Sequence, residues 1–209
     1  MPDVAKYGPW AVIAGGSEGV GAEFAKQLAG GGFNLVLIAR KPGPLADTAD
    51  RWVTRMLELV HHFGRLMRAR RRGGIPLVGS TAAMYGSMRQ SVYTGVKSFS
   101  RLFAESLWLE LRDHGVDVLE LVLGVTRTPA MQRAGLNFDV PGISVAEPAD
   151  AAREGLANLA SGPVFIAGDN AAAVHRGSGP DRAAIVLGGH RLMQKLIGAA
   201  RRDASGDRR

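Results

Sequence analysis

The chain has no cysteine among its 209 residues. Disulfides, thiolate nucleophiles and cysteine-ligated zinc are therefore excluded. No apolar run reaches the roughly 18 residues that a membrane span needs. The first residues, Met1 to Lys6, lack the charged and apolar regions of a secretory leader. No repeat or low-complexity segment interrupts the chain. Together these absences predict a cytoplasmic protein with no membrane partner.

Charge of one sign is scarce except in two places. The net charge is +7, and Arg68, Arg70, Arg71 and Arg72 form one cluster while Arg201, Arg202, Arg208 and Arg209 form another. Nucleic-acid binding would call for aromatic residues interleaved with such charge, or for a known binding motif, and neither is present. The clusters read instead as a solvated helix end and a basic tail, since cations favour helix C-termini. A composition of 46% hydrophobic and 22% charged residues is that of a globular protein. The length fits one domain over 1–200, followed by a disordered tail over 201–209.

What the chain does have is alternation. Trp10–Ala14, Asn34–Ala39, Ile75–Gly79, Val116–Leu123 and Pro163–Ala167 are short apolar runs of the kind that form buried parallel strands. Pro76 weakens the third, because proline gives no ladder donor. Helical patterns cover Gly19–Ala29, Ser91–Asp113, Pro148–Ala160 and Asp181–Ala200. Strand and helix in turn predict an α/β fold around a parallel sheet. From Leu45 to Met67 apolar residues recur at helical spacing with no strand among them, giving one long helix or two broken near Asp50. His61 and His62 are adjacent, so on a helix they diverge by roughly 100° and do not chelate one metal together. No metal site is expected.

The first strand runs into Gly15-Gly16-Ser17-Glu18-Gly19-Val20-Gly21. Glycines there permit a tight turn and let a pyrophosphate approach unpaired N–H groups at the helix N-terminus. The candidate cradle comprises Gly15, Ser17, Glu18, Gly19, Val20 and Gly21. The second strand ends at Arg40, followed by Lys41. An acidic residue at that place would bind a ribose 2′-hydroxyl, whereas Arg40 suits a 2′-phosphate and hence NADP(H).

The second constellation is Ser80, Tyr93 and Lys97, with thirteen residues separating the first two positions and four the last two. A phenol is inert near neutral pH until its pKa of about 10 is lowered, and an ammonium one helical turn away does that. A serine hydroxyl brought to the same place can hold a carbonyl or alcohol oxygen. The three suit proton transfer in carbonyl/alcohol chemistry.

These motifs together resemble the classical short-chain dehydrogenase/reductase family in its NADP-preferring form. The resemblance rests on Ala14–Gly21, Ala39-Arg40, Leu77–Ser80, Tyr93-x3-Lys97 and Leu123-Gly124-Val125-Thr126-Arg127-Thr128-Pro129. It implies a Rossmann-like, doubly wound parallel sheet. Tyr93 would be the general acid/base, Lys97 its pKa-lowering partner and ribose ligand, and Ser80 the group that polarises the substrate oxygen. Gly124, Val125 and Thr128 would line the nicotinamide carboxamide, and Ala82–Met88 with Met131–Gly142 would wall an apolar carbonyl or alcohol substrate. The family's helices equivalent to 57–70 and 91–113 pair across a two-fold axis, which implies a homodimer or homotetramer. Only Lys41 to Gly74 lies where the family carries two further strand–helix units, a shortfall on the order of 60 residues. With it go an adenine-contacting Asp, an Asn-Asn-Ala-Gly segment and a catalytic Asn, near whose place Trp52 stands. The strand before Ser80 must then pair with the first strand, or leave a gap for the long helix or a partner chain to fill. Two other functions remain open at this point: a truncated cofactor-binding or interaction module without turnover, and a nucleic-acid-binding protein using the basic clusters.

Overall fold

Near-continuous apolarity makes the five runs into strands. In the computed structural model, which describes residues 1–38 and 46–203, these are β1 (Trp10–Ala14), β2 (Asn34–Ile38), β3 (Gly73–Ser80), β4 (Val116–Leu123) and β5 (Val164–Ile166). The helices are α1 (Val4–Tyr7), α2 (Gly19–Gly30), α3 (Ala46–Arg70), α4 (Ser91–Leu111), α5 (Pro129–Arg133), α6 (Pro148–Ala157), α7 (Ala171–Gly177) and α8 (Arg182–Asp203). From Ala46 the stripe is thus a single helix, α3, with no break at Asp50, and Leu45 lies outside the described residues. Short α1, α5 and α7 carry too few residues to display a helical period, and pattern reading passes over them.

All strand pairs are parallel. β1 pairs with β2 from Trp10↔Asn34 to Ala14↔Ile38. β3 pairs with β4 from Gly73↔Val116 to Ser80↔Leu123, and β5 joins on the far side of β4. Pro76 sits on β3, an edge strand of its sheet, where the missing N–H removes no ladder bond.

Helices cover both faces. On one, Ile13, Phe24, Leu28, Leu121, Leu123, Ala152 and Leu156 join β1, α2, β4 and α6 in one core. On the other, Val60, Leu77, Ala104, Leu107, Val116 and Val118 join α3, β3, α4 and β4. This is a doubly wound, Rossmann-like arrangement. It has five strands among the described residues, fewer than a full sheet of the kind.

The expected pairing of β1 with β3 does not form. Among the described residues the strands make two sheets, β1–β2 and β3–β4–β5. Helix packing joins the sheets instead. Gly155 of α6 lets the Phe24 ring of α2 and the Leu121 side chain of β4 close to 3.1 and 2.7 Å of where a Cβ would stand. Apolar strand residues that two-sided cover would bury are exposed: Val36, Leu37, Ile38 and Val78.

The first arginine cluster is structural rather than merely solvated. Arg72 and Arg70 donate to the Ala5 and Tyr7 carbonyls at 3.2 and 3.4 Å, and Arg71 donates to the Asp113 carbonyl at 2.8 Å. The Tyr7 hydroxyl in turn donates to Asp117 of β4 at 2.7 Å, and Lys6 pairs with the same carboxylate at 2.6 Å. The N-terminal turn is therefore tied to the start of the three-stranded sheet. At the other end, α8 continues through Asp203, so the tail expected to be disordered from Arg201 is helical for its first three residues. Residues 204–209 lie outside the described residues.

Candidate active site

The glycine turn forms as its spacing predicts. Gly15 and Gly19 adopt φ of +84° and +59°, values that L side chains rarely adopt. A Cβ on Gly21 would stand 2.1 Å from the Gly15 carbonyl oxygen, so only glycine lets the helix start this close to the turn. A Cβ on Gly15 would meet nothing within 4 Å, so the turn opens outward as a cradle. No side chain caps the N-terminus of α2, which leaves its N–H groups for an anion. Glu18, at the N-cap, pairs with Arg133 of α5, whose Nη1 lies 2.9 Å from Glu18 Oε2. That guanidinium holds the Glu18 carboxyl below the usual range.

The loop after β4 closes on this turn. A Cβ on Gly19 would stand 3.2 Å from the Thr128 methyl, and Thr128 Oγ1 accepts from Met131 N at 3.3 Å to cap α5. Thr126, beside Val125, is buried and donates its hydroxyl to the Gly124 carbonyl at 3.2 Å. Asn170 packs so closely on Gly124 that its Oδ1 lies 2.2 Å from where a Cβ would be. The turn and the loop, far apart in sequence, thus share one end of the parallel strands. Arg40 and Lys41 lie outside the described residues.

Ser80 ends β3 and its Oγ accepts from Ala82 N at 3.2 Å, starting a short 3-10 turn. Tyr93 and Lys97 stand one turn apart on α4, with Lys97 Nζ 5.8 Å from the Tyr93 ring centroid. Lys97 Nζ donates to the Val78 carbonyl at 2.7 Å, two residues before Ser80. β3 and α4 therefore bring the three predicted residues to one neighbourhood. Burial depresses the Lys97 pKa, and the Glu120 carboxylate opposes that fall. Ser98 serves packing: its hydroxyl lies 2.7 Å from the Ala83 carbonyl and 3.0 Å from the Thr94 carbonyl. The Trp52 side chain lies outside the described residues.

A cleft of about 350 Å³ adjoins this neighbourhood, lined by Met84, Tyr85, Ser87, Thr94, Ser98 and Arg182 among others. It includes part of the expected Ala82–Met88 wall but none of Ser80, Tyr93 and Lys97. The second expected wall, Met131–Gly142, is tethered: Asn137 N donates to the Leu196 carbonyl of α8 at 2.7 Å, and Arg127 stacks over Phe138 at 4.7 Å. Among the described residues no cluster of three metal-ligating side chains exists.

Sequence reasoning missed Glu120. It is fully buried on β4, and neither carboxylate oxygen has a hydrogen-bond partner. Burial pushes its pKa up to about 7, with Lys97, Arg101 and Ser100 pulling the other way. The signal was Glu120, an acid between Leu119 and Leu121 in the middle of the buried strand Val116–Leu123.

With this geometry in view, the relatives are informative. The short chain dehydrogenase family profile matches residues 46–137, which include Ser80, Tyr93 and Lys97. Over that stretch the chain is similar to the short chain dehydrogenase family. The very-long-chain 3-oxoacyl-CoA reductase of Podospora anserina is 27% identical over 203 aligned positions, which take up 63% of this chain and 59% of that protein. The chain spans about three fifths of the length of that curated relative. Among solved structures, that of a 7beta-hydroxysteroid dehydrogenase superposes with a TM-score of 0.75 at 22% identity, covering 90% of this chain and 98% of the other. A short-chain dehydrogenase from Sphingobium yanoikuyae in complex with NADPH gives 0.65 at 20% identity, covering 96% of each chain. At such identities the superpositions speak for the fold.

Proposed function

We propose that this chain is a short chain dehydrogenase that transfers hydride between NADP(H) and the carbonyl or secondary-alcohol carbon of an apolar small molecule. The observation that carries the reading is the convergence of the open glycine cradle, the Thr128 loop and the Ser80, Tyr93 and Lys97 group at one end of the parallel strands. Gly15, Ser17, Glu18, Gly19, Val20 and Gly21 would hold the pyrophosphate, and Gly124, Val125 and Thr128 the carboxamide. When bound, the nicotinamide supplies or takes the hydride. Tyr93 donates a proton to the substrate oxygen in reduction and recovers it in oxidation. Lys97 binds the ribose, while Ser80 donates a hydrogen bond to the same substrate oxygen. Arg40, whose residue type can pair a phosphate bidentately, and Lys41, a point charge, support the phosphorylated cofactor by their chemistry. An NADPH-bound structural neighbour and the apolar Met84, Tyr85, Met131, Leu136 and Phe138 of the two expected walls are consistent with this choice of partners.

We also infer that the segment after β2 is shortened by strand–helix units. The alignment with the Podospora reductase runs over 203 positions while using only 63% of this chain, so it crosses a gap on this side. Exposed Leu57, Leu66, Phe99, Leu102 and Leu109 on α3 and α4 support self-association through those helices.

The test is a thermal-shift titration with NADPH and NADH side by side, followed by turnover of a carbonyl panel. NADPH at about a hundredfold excess over Kd raises stability by about 2.7 kcal/mol, and NADH by less. Tyr93→Phe keeps the shift and loses turnover by at least about a hundredfold, the share general acid–base catalysis supplies. A cooperatively melting protein that NADPH leaves unmoved rejects the reading.

A further inference from the structure

Glu120 is the one acid of this molecule, among the described residues, that sits wholly inside with both oxygens unpartnered. Its place is specific. Val116, Val118 and Val122, its same-face neighbours along β4, are apolar, as a strand covered by α4 requires. Beside it, β3 provides Gly79, where a Cβ would stand 2.6 Å from the Glu120 carboxyl. The carboxyl thus occupies the space a side chain at position 79 would take, level with the stretch between Val78 and Ser80.

From α4, Lys97, Ser100, Arg101 and Glu105 face it. The register partners on β3 and β5, Leu77 and Val164, carry no charge. Arg101 is directed at Glu105 at 3.3 Å and at the Met84 sulfur. Ser100 is close but makes no bond of hydrogen-bond geometry to either oxygen. Lys97 is the remaining cation, and its own hydrogen bond goes to the neutral Val78 carbonyl.

We propose that Glu120 is a positioning residue of this site, a buried carboxylate under α4 that sets the charge state of Lys97. An apolar residue at 120 would leave the ammonium in a low-dielectric pocket with no counter-charge, where burial favours the neutral amine. Glu120 opposes that neutralisation without touching substrate or cofactor. Its influence grows as pH rises through its own titration near neutrality. The inference rests on the roles proposed for Tyr93 and Lys97, but the coupling is measurable without turnover.

The experiment follows the chain's five lysines by NMR with 13C at Cε, assigning Lys97 from Lys97→Met. In Glu120→Gln, which keeps shape and removes charge, the Lys97 midpoint falls by about one pH unit or more, a tenfold loss of proton affinity. The other lysines stay put. A folded Glu120→Gln protein whose Lys97 midpoint is unchanged overturns the proposal, because a packing role leaves that titration alone. Should Glu120→Gln fail to fold, Lys97→Met is the second arm: the Glu120 carboxyl midpoint, read at 13Cδ, rises if the two groups are coupled, and an unmoved midpoint again overturns it. NADPH thermal shifts on the same samples test the cofactor reading separately, since the lysine titration is read without nucleotide.

Discussion

An acid buried without a hydrogen-bond partner has a thermodynamic signature that an assay of folding can read. Glu120 titrates near 7 in the fold and near 4.5 when unfolded, so between those values the native state holds the extra proton. Unfolding then releases protons, and the Glu120 contribution to stability falls as pH rises. It is fully present below about 4.5 and gone above about 7. Lys97, with its pKa depressed in the fold, works in the opposite direction, so the informative quantity is the difference between wild type and Glu120→Gln. That difference, from denaturant midpoints between pH 5 and 8, should decline with rising pH by an amount on the order of 1–3 kcal/mol. A flat difference would contradict the raised carboxyl pKa.

At the scale of elements, what holds β1–β2 to the rest is helix contact rather than a strand ladder. α2 lies against α6 through Phe24, and Gly155 removes the side chain that would keep them apart. Phe24→Ala empties that joint and should cost about 3–5 kcal/mol, the range for a buried phenylalanine. Urea unfolding measures it; a loss below about 1 kcal/mol would mean that the joint is not where the two sheets are joined. The elements themselves were largely legible in the sequence. β1, β4, α2, α4 and α6 lie within a few residues of their expected bounds because burial on two faces or on one stripe imposes a pattern. The glycine turn was legible for a different reason, since its backbone conformations restrict residue type, and the loop Gly124–Pro129 was legible through the family resemblance.

For the whole molecule, two features go beyond any one element. The first is the break between β1 and β3, which leaves Val36, Leu37, Ile38 and Val78 exposed. The second is the apolar surface of α3 and α4, where Phe99 stacks on Phe103 at 5.7 Å and Leu102 and Leu109 are each more than 60% exposed. The double substitution Leu102→Asp with Leu109→Asp should convert an assembled species to monomer in sedimentation velocity, with secondary structure retained. Unchanged sedimentation of the double variant would remove α4 from the interface.

The sequence by itself determined the chemistry of the candidate residues and the alternation of strand and helix. Glycine spacing, a serine at a strand end and a tyrosine and lysine one turn apart are local patterns, and local patterns need no tertiary contact to be read. It also held the Arg68–Arg72 cluster in plain view, yet those arginines act on carbonyls from Ala5 to Asp113, which only folding brings near. Tertiary structure alone decided that β1 and β3 stay unpaired, that Arg133 answers Glu18, and that Glu120 lies under Lys97. Each depends on which segments become neighbours after burial, and a buried charge takes its meaning from the groups facing it rather than from those beside it in the chain.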